Sequence, residues 1–127
     1  MLKPYLYLDI TDHAGRGVFT KEKIPKGTVI EISPVIVMEK EDREHLDKTK
    51  LHDYIFEWGK ERDKVCMALG FIPMYNHSYK SNCDYFMDYE EDVIMIETVR
   101  TVEKGEELTI NYNGDSNDAT KIWFDAV

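Results

Sequence analysis

The side chains that could supply nucleophilic or metal-binding chemistry are few and widely spaced. Cys66 and Cys83 flank His77 in the sequence, and this order leaves a thiol–imidazole nucleophile open. No charged or helical feature beside either cysteine gives a physical reason for the reactive thiolate that such a nucleophile needs. The cysteines and histidines lack the CxxC or HxxxH spacing of metal ligands, so the sequence predicts no metal site. Two cysteines also cannot build a disulfide framework, which favours a reduced, intracellular protein.

Two glycines, one polar triplet and one tyrosine are the other candidates for chemistry. Gly15-Arg16-Gly17 predicts a turn that allows positive φ or close backbone approach. It lacks the third glycine and the following helix of a dinucleotide fingerprint, so that function is excluded. Asn76-His77-Ser78 would by itself be a turn whose side chains cap the backbone. Tyr112 would by itself be an amphipathic residue at the edge of the core.

Short β-rich segments separated by turns must position these residues. Strands are predicted over residues 5–10, 18–20, 28–38, 83–89, 93–100 and 107–112. Pro34 indicates an edge or a bend in the third of them, and residues 90–92 connect a hairpin. Apolar residues recur at roughly helical spacing between residues 39 and 58, which predicts one or two short helices beginning in a solvated charged run. The predicted fold class is mostly β.

Length and charge limit the remaining classes of function. The chain has 127 residues, which predicts one domain. Its 16 basic and 25 acidic residues give a net charge of −9. This disfavours nucleic acid as a partner, since phosphate binding depends on lysine and arginine, and it favours a basic protein or peptide. The N-terminus is not typical of a signal peptide, and no apolar run is long enough to span a membrane.

Five segments follow one another along the chain: GRGVF, KIPKGTVI, LHDYIF, ALGFIPMYNHS and TVEKGEELTINY. Taken in this order, they resemble the SET domain of protein-lysine methyltransferases, especially the compact virus-encoded and bacterial members. The resemblance covers residues 5–114 of a single domain spanning residues 1–127, with residues 115–127 as a C-terminal tail. It implies several small curved sheets with few short helices and a C-terminal pseudoknot, in which the last strand passes beneath the preceding loop. The implied reaction is methyl transfer from S-adenosylmethionine to the ε-amine of a lysine.

The resemblance also implies which residues hold the cofactor. Gly15-Arg16-Gly17 matches the turn whose backbone lies against the methionine part of S-adenosylmethionine, where a Cβ would collide with it. Asn76-His77-Ser78, with Asn82, matches the NHSxxxN motif. In the family the asparagine side chain holds the amino-acid end of the cofactor, and the backbone at the histidine pairs with the adenine edge.

Further positions match the catalytic and channel residues of the family. Tyr112 corresponds to the catalytic tyrosine, and Tyr54 to an aromatic that walls the lysine channel or the cofactor pocket. Ile110 stands where the family carries a phenylalanine or tyrosine that tunes product multiplicity. Because isoleucine cannot hydrogen-bond, we expect di- or trimethylation. Trp123 or Phe124 is expected to close the pocket in place of a zinc-binding tail, the alternative being a tail end that packs on the core or frays.

The expected substrate is a lysine-containing basic protein, such as a histone tail. An alternative function is a catalytically inactive SET-like module that binds a basic protein partner. We expect an intracellular protein, nuclear if its source is eukaryotic or viral, without direct nucleic-acid or membrane contact. Homodimer formation is a further option, since compact members that lack flanking domains often dimerise.

Overall fold

The computed structural model describes residues 1–112, which fold mainly as short β-strands. In this part of the chain the strands are β1 (Leu6–Ile10), β2 (Arg16–Thr20), β3 (Val29–Met38), β4 (Ile55–Trp58), β5 (Lys64–Ala68), β6 (Asn76–His77), β7 (Cys83–Asp88), β8 (Val93–Thr98) and β9 (Glu107–Ile110). One α-helix, α1 (Lys40–Leu46), and 3-10 turns at Lys50–Asp53 and Ile72–Met74 complete the described elements. The mostly β class predicted from the sequence is confirmed.

The strands form two sheets. One sheet has the order β1-β2-β9-β6, and the other has the order β4-β5-β3-β8-β7. Neighbouring strands pair antiparallel, except that β6 and β9 run parallel. The parallel pair joins two segments that are far apart in the sequence, and both segments carry candidate site residues.

The long strand β3 changes its partner at Pro34. Its first half pairs with β8 as far as Pro34 opposite Val93. Its second half pairs with β5, beginning with Val35 opposite Ala68. Proline has no N–H to donate, so it suits the position at which a strand leaves one neighbour for another.

Alternating burial along the strands builds the core between the sheets. In β8 the buried residues are Ile94, Ile96 and Thr98, each separated by a partly exposed residue. Leu108 and Ile110 follow the same period in β9. Successive side chains of a strand point to opposite faces, so one face of each strand supplies the core. The fully buried apolar side chains also include Val18, Ile24, Ile30, Cys66, Cys83 and Val102.

The helical prediction over residues 39–58 is only half correct. α1 contains no buried residue, so its charged start is solvated as expected. Ile55–Trp58, however, is strand β4, and it pairs with β5, a strand that the sequence analysis missed. Gly59, with φ of +96°, ends β4 directly after its β-favouring aromatic residues. Among residues 1–112 no helix is long and apolar enough to cross a membrane.

The predicted hairpin near the C-terminus is present with a connection one residue longer than expected. β7 ends at Asp88 and β8 begins at Val93. The Asp88 side chain accepts hydrogen bonds from the backbone N–H groups of Glu90 and Glu91, at 3.0 and 3.1 Å. Asp92, with φ of +52°, closes the turn. Because the Asp88 side chain caps the turn that follows it, strand β7 ends at Asp88 and the loop begins before residue 90.

Candidate active site

The Asn76-His77-Ser78 segment forms a short strand beside β9. Asn76 pairs with Thr109 and His77 pairs with Ile110 in the parallel ladder. The backbone N–H of Ser78 extends this ladder by donating to the Ile110 carbonyl at 2.9 Å. The turn predicted here from local sequence is therefore replaced by a strand, because the pairing depends on a distant segment.

Tyr112 follows β9 and is hydrogen-bonded to residues 75 and 77 through its hydroxyl and its backbone N–H. Its backbone N–H donates to Nδ1 of His77 at 3.0 Å. Its hydroxyl donates to the backbone carbonyl oxygen of Tyr75 at 3.0 Å. The rings of His77 and Tyr112 lie with their centroids 5.1 Å apart. The structure therefore brings together the two motifs that the sequence analysis assigned to one site.

The hydroxyl of Tyr112 remains protonated at neutral pH. Burial raises the pKa of Tyr112 to about 12, and smaller contributions of the same sign come from Tyr85, Tyr54 and Asp53. The hydroxyl hydrogen is donated to the Tyr75 carbonyl, so the group can interact with a substrate N–H by accepting through its oxygen. Tyr112 is therefore suited to orient an N–H group and unsuited to remove a proton.

Tyr85 contacts Tyr112, and a second aromatic ring packs on Tyr85. The hydroxyl of Tyr85 donates to the backbone oxygen of Tyr112 at 3.2 Å. Phe56 lies against Tyr85 with ring centroids 5.9 Å apart. Tyr54 is one of the smaller contributors to the raised pKa of Tyr112, and its place in a lysine channel stays a prediction. Tyr85 was not among the residues predicted from the sequence, although alternation along β7 places it on the same face as the buried Cys83.

The two glycines of the predicted cofactor turn have different physical roles. Gly15 has φ of +71°, and a Cβ there would meet no atom of the described chain within 4 Å. Its requirement is therefore conformational. Gly17 is buried, and a Cβ there would overlap the Glu107 carboxylate and approach Asn76 Nδ2 to 3.0 Å. Before any cofactor is considered, Gly17 thus leaves room for protein side chains.

The side chain of Asn76 has a fixed orientation. Its Nδ2 donates to Oε2 of Glu107 at 2.8 Å and to the backbone oxygen of Arg16 at 3.1 Å. These bonds use both amide hydrogens, so Oδ1 is what Asn76 presents as an acceptor. An acceptor complements a positively charged amino group. These acceptors, Asn76 Oδ1 and the Arg16 carbonyl, are of the kind that an ammonium group needs, such as the one at the amino end of the methionine part of S-adenosylmethionine.

Comparison with known proteins identifies the family. The sequence profile of the SET domain matches residues 15–113. That range contains the glycine turn, the Asn76-His77-Ser78 segment and Tyr112. The chain belongs to the SET domain family.

Individual relatives agree with this assignment. A histone-lysine N-methyltransferase of Schizosaccharomyces pombe, specific for lysine 37 of H3, is 39% identical over 116 residues, covering 91% of this chain and 74% of that protein. The histone-lysine N-methyltransferase SETD7 of Halocynthia roretzi is 26% identical over 123 residues, covering 86% and 31%. The crystal structure of a candidate histone methyltransferase of Plasmodium falciparum superposes with a TM-score of 0.67 at 25% identity, covering 88% and 95%. The predicted SET fold and enzyme class, a protein-lysine methyltransferase, are confirmed.

In this SET domain, His77 is a buried neutral imidazole. Its side chain is 5% exposed, and burial lowers the pKa of His77 below its ordinary value of 6.5. Because Nδ1 accepts from Tyr112, the ring proton must lie on Nε2. Protonation of Nδ1 would remove that acceptor and release the backbone of Tyr112.

The free energy of unfolding should therefore fall as the pH drops below about 6.5, the pKa of a histidine in the unfolded chain. Between about pH 6.5 and the lower pKa of folded His77, this histidine is protonated in the unfolded chain but not in the folded protein. Protons therefore favour the unfolded state over this range. Urea unfolding over this range measures the slope. His77→Asn keeps an acceptor near the Nδ1 position but cannot titrate, so it should show a smaller slope than the parent. His13→Asn, at an exposed position, is the matched control. Equal slopes in parent and His77→Asn would contradict the prediction.

Asn82 is buried and holds strand β9 through its side-chain amide. It is 1% exposed, and its Nδ2 donates to the Glu107 carbonyl at 2.8 Å. Its Oδ1 accepts from the Thr109 N–H at 2.8 Å. The last residue of the NHSxxxN motif thus fixes β9 and, through it, the position of Glu107.

Of the remaining predicted residues, Ile110 is buried, and two lie outside the described part of the chain. Ile110 is fully buried in the core. Its influence on the number of methyl groups added stays a prediction. Trp123 and Phe124 lie outside the described residues. Cys66 and Cys83 are fully buried, and this burial raises the pKa of both thiols, that of Cys66 to about 12. Buried, protonated thiols disfavour the thiol–imidazole nucleophile. Within residues 1–112 no three His, Cys, Asp or Glu side chains lie close enough to share a metal ion.

Proposed function

We propose that this SET domain transfers a methyl group from S-adenosylmethionine to the ε-amine of a lysine in a basic protein. The observation that carries the proposal is the position of the Tyr112 hydroxyl, which is held on the Tyr75 carbonyl beside aromatic side chains. Its oxygen can accept an N–H of the lysine amine and leave the nitrogen lone pair directed elsewhere. The same tyrosine is bonded to the segment that carries Asn76.

The described residues fit S-adenosylmethionine. Asn76 Oδ1 would accept from its ammonium group, and the Gly15-Arg16-Gly17 backbone would lie against its methionine part. The backbone at His77 remains the proposed partner of the adenine edge. When bound, S-adenosylmethionine supplies an electrophilic methyl group on a sulfonium, and a thioether leaves when the amine nitrogen takes the methyl.

The protein must supply a neutral, oriented amine. A protonated lysine has no lone pair, so desolvation between aromatic side chains must lower its pKa. Tyr54, Phe56 and Tyr85 provide such surfaces near Tyr112. Because Tyr112 itself stays protonated, we expect the lysine to lose its proton to solvent before or after entry.

Net charge supports a basic substrate. At a net charge of −9, the protein should attract a lysine-rich segment electrostatically. The two curated relatives are named as histone-lysine methyltransferases, so a histone tail is the first candidate. A nuclear or other intracellular location follows from the same proposal.

The KM for a lysine-rich peptide should rise as ionic strength increases, because salt screens the attraction between exposed charges. Steady-state methylation at low and at physiological salt measures this. A peptide with one lysine in an otherwise neutral sequence is the control, and its KM should change less. Equal salt dependence for both peptides would mean that the net negative charge of the protein does not select basic substrates.

Calorimetric titration with S-adenosylmethionine separates the enzyme from the second candidate, an inactive module that binds a basic partner. We expect saturable binding that weakens in Asn76→Ala, since the charged amino group loses its acceptor. A protein that binds the lysine-rich peptide but not S-adenosylmethionine would favour the inactive module.

Other expectations remain part of the proposal. The parallel pairing of β6 with β9 supports the pseudoknot, because a pseudoknot must bring these segments side by side. The family match over residues 15–113 supports one SET domain over residues 1–127. Homodimer formation stays a prediction.

A further inference from the structure

A buried carboxylate lies behind the site and takes no part in the chemistry proposed above. Glu31, on β3, is fully buried. Its carboxylate accepts hydrogen bonds from Ser33 Oγ at 2.6 Å, from Tyr75 Oη at 2.8 Å and from the Phe71 N–H at 2.8 Å. Burial raises the pKa of Glu31, while these three donors act in the opposite direction. A carboxylate satisfied by three donors fixes each of them firmly.

Glu31 holds both ends of the segment that leads into the site. Phe71 precedes the 3-10 turn at Ile72–Met74, and Tyr75 follows it. One carboxylate oxygen binds the start of this segment and the other binds its end. Gly70 makes room for the cluster, since a Cβ there would overlap both the Glu31 carboxylate and the Ser33 hydroxyl.

Tyr75 connects the carboxylate to Tyr112. The Tyr75 side chain is 1% exposed and donates its hydroxyl to Glu31, while its backbone oxygen accepts the Tyr112 hydroxyl. Burial and the neighbouring Glu31 raise the pKa of Tyr75, so it stays a donor at neutral pH. A shift of the Tyr75 side chain would therefore move the acceptor that orients Tyr112.

We propose that Glu31 and Tyr75 are positioning residues for methyl transfer, which fix the Tyr75 carbonyl and thereby aim the Tyr112 hydroxyl. This inference rests on the proposed function. Tyr75→Phe removes the hydroxyl bonded to Glu31 but keeps the ring, the backbone carbonyl and the Phe71 bond. We expect the single-turnover rate to fall by about tenfold, a typical loss for one misaligned polar contact. Affinity for S-adenosylmethionine should change by less than about twofold, because the bonds of Asn76 remain.

A double-mutant cycle with Tyr112→Phe distinguishes positioning from general destabilisation. If Tyr75 acts through the Tyr112 hydroxyl, Tyr75→Phe should cause no further loss of rate once that hydroxyl is absent. Ile24→Val, a core substitution at a 1% exposed residue outside the site, controls for lost stability and should leave the rate unchanged. If Tyr75→Phe does not fold, Ser33→Ala loosens the same carboxylate and should show the same coupling.

The outcomes separate this inference from the proposed function. A rate loss in Tyr75→Phe that disappears in the Tyr112→Phe background supports it. Independent, multiplying losses would overturn it while leaving the proposed role of Tyr112 intact. If Tyr112→Phe alone does not slow methyl transfer, the assignment of Tyr112 fails, and the positioning role fails with it.

Discussion

Tyr112→Phe should lower the single-turnover rate of methyl transfer by about a hundredfold and leave affinity for S-adenosylmethionine nearly unchanged. The substitution keeps the ring and its contact with His77 but removes the hydroxyl, which donates to the Tyr75 carbonyl and is the group proposed to orient the amine. Loss of one preorganised polar contact costs about 3 kcal/mol in the transition state, which corresponds to this factor in rate. Rapid mixing with labelled S-adenosylmethionine and saturating peptide measures the rate, and calorimetry measures the affinity.

Tyr7→Phe is the matched control for this experiment. Tyr7 lies on β1, at the far edge of the sheet that contains β9, and stacks on Phe19. Its ring contacts Phe19 and the Lys21 ammonium group, which lie outside the candidate site, so its loss of a hydroxyl should not affect the rate. An unchanged rate in Tyr112→Phe would mean that another group orients the amine.

Gly17→Ala should weaken S-adenosylmethionine binding by about tenfold to a hundredfold while the protein remains folded. A Cβ at Gly17 overlaps the Glu107 carboxylate and crowds Asn76 Nδ2, which are the ends of flexible side chains that can move. Their movement would break the hydrogen bond from Asn76 Nδ2 to Glu107, and Oδ1 would lose the orientation in which it is proposed to accept from the ammonium group. A hydrogen bond to a charged group contributes about 1.5–3 kcal/mol, which gives the expected range.

Gly27→Ala is the control for Gly17→Ala, because it should change stability and not cofactor affinity. Gly27 has φ of +80° with open space around its Cβ position, so alanine there strains the backbone without touching the site. We expect a lower melting temperature and an unchanged dissociation constant for S-adenosylmethionine. If Gly17→Ala lowers the melting temperature strongly and leaves the dissociation constant unaltered, the glycine serves folding alone.

Local sequence was sufficient to predict the strands whose signal lies within a few residues. β1 and β2 follow from aromatic and β-branched runs bounded by a glycine turn, and the β7–β8 hairpin follows from two such runs around an acidic loop. The order of the motifs was sufficient to indicate the family. Tyr112 and Asn76-His77-Ser78 could be assigned to one site only because the family combines them.

What sequence could not provide depends on contacts between distant segments. β6 is a strand only because β9 lies beside it, and Gly17 is constrained by Glu107 from that same strand. Glu31 looks like an ordinary charge within a β-rich run, yet the fold buries it against Tyr75. Ile55–Trp58 shows the opposite difficulty, since its apolar spacing also suits a helix and pairing with β5 decides the outcome.

Mass spectrometric mapping of a lysine-rich peptide, after incubation with the protein and S-adenosylmethionine, is the decisive measurement of lysine methyl transfer. We expect the peptide to gain methyl groups on a lysine side chain, S-adenosylhomocysteine to form in equal amount, and Tyr112→Phe to slow both greatly. If the protein binds both the peptide and S-adenosylmethionine saturably, yet no lysine of the peptide or of mixed histones gains mass, the protein is not a lysine methyltransferase for these substrates and the proposed function is wrong.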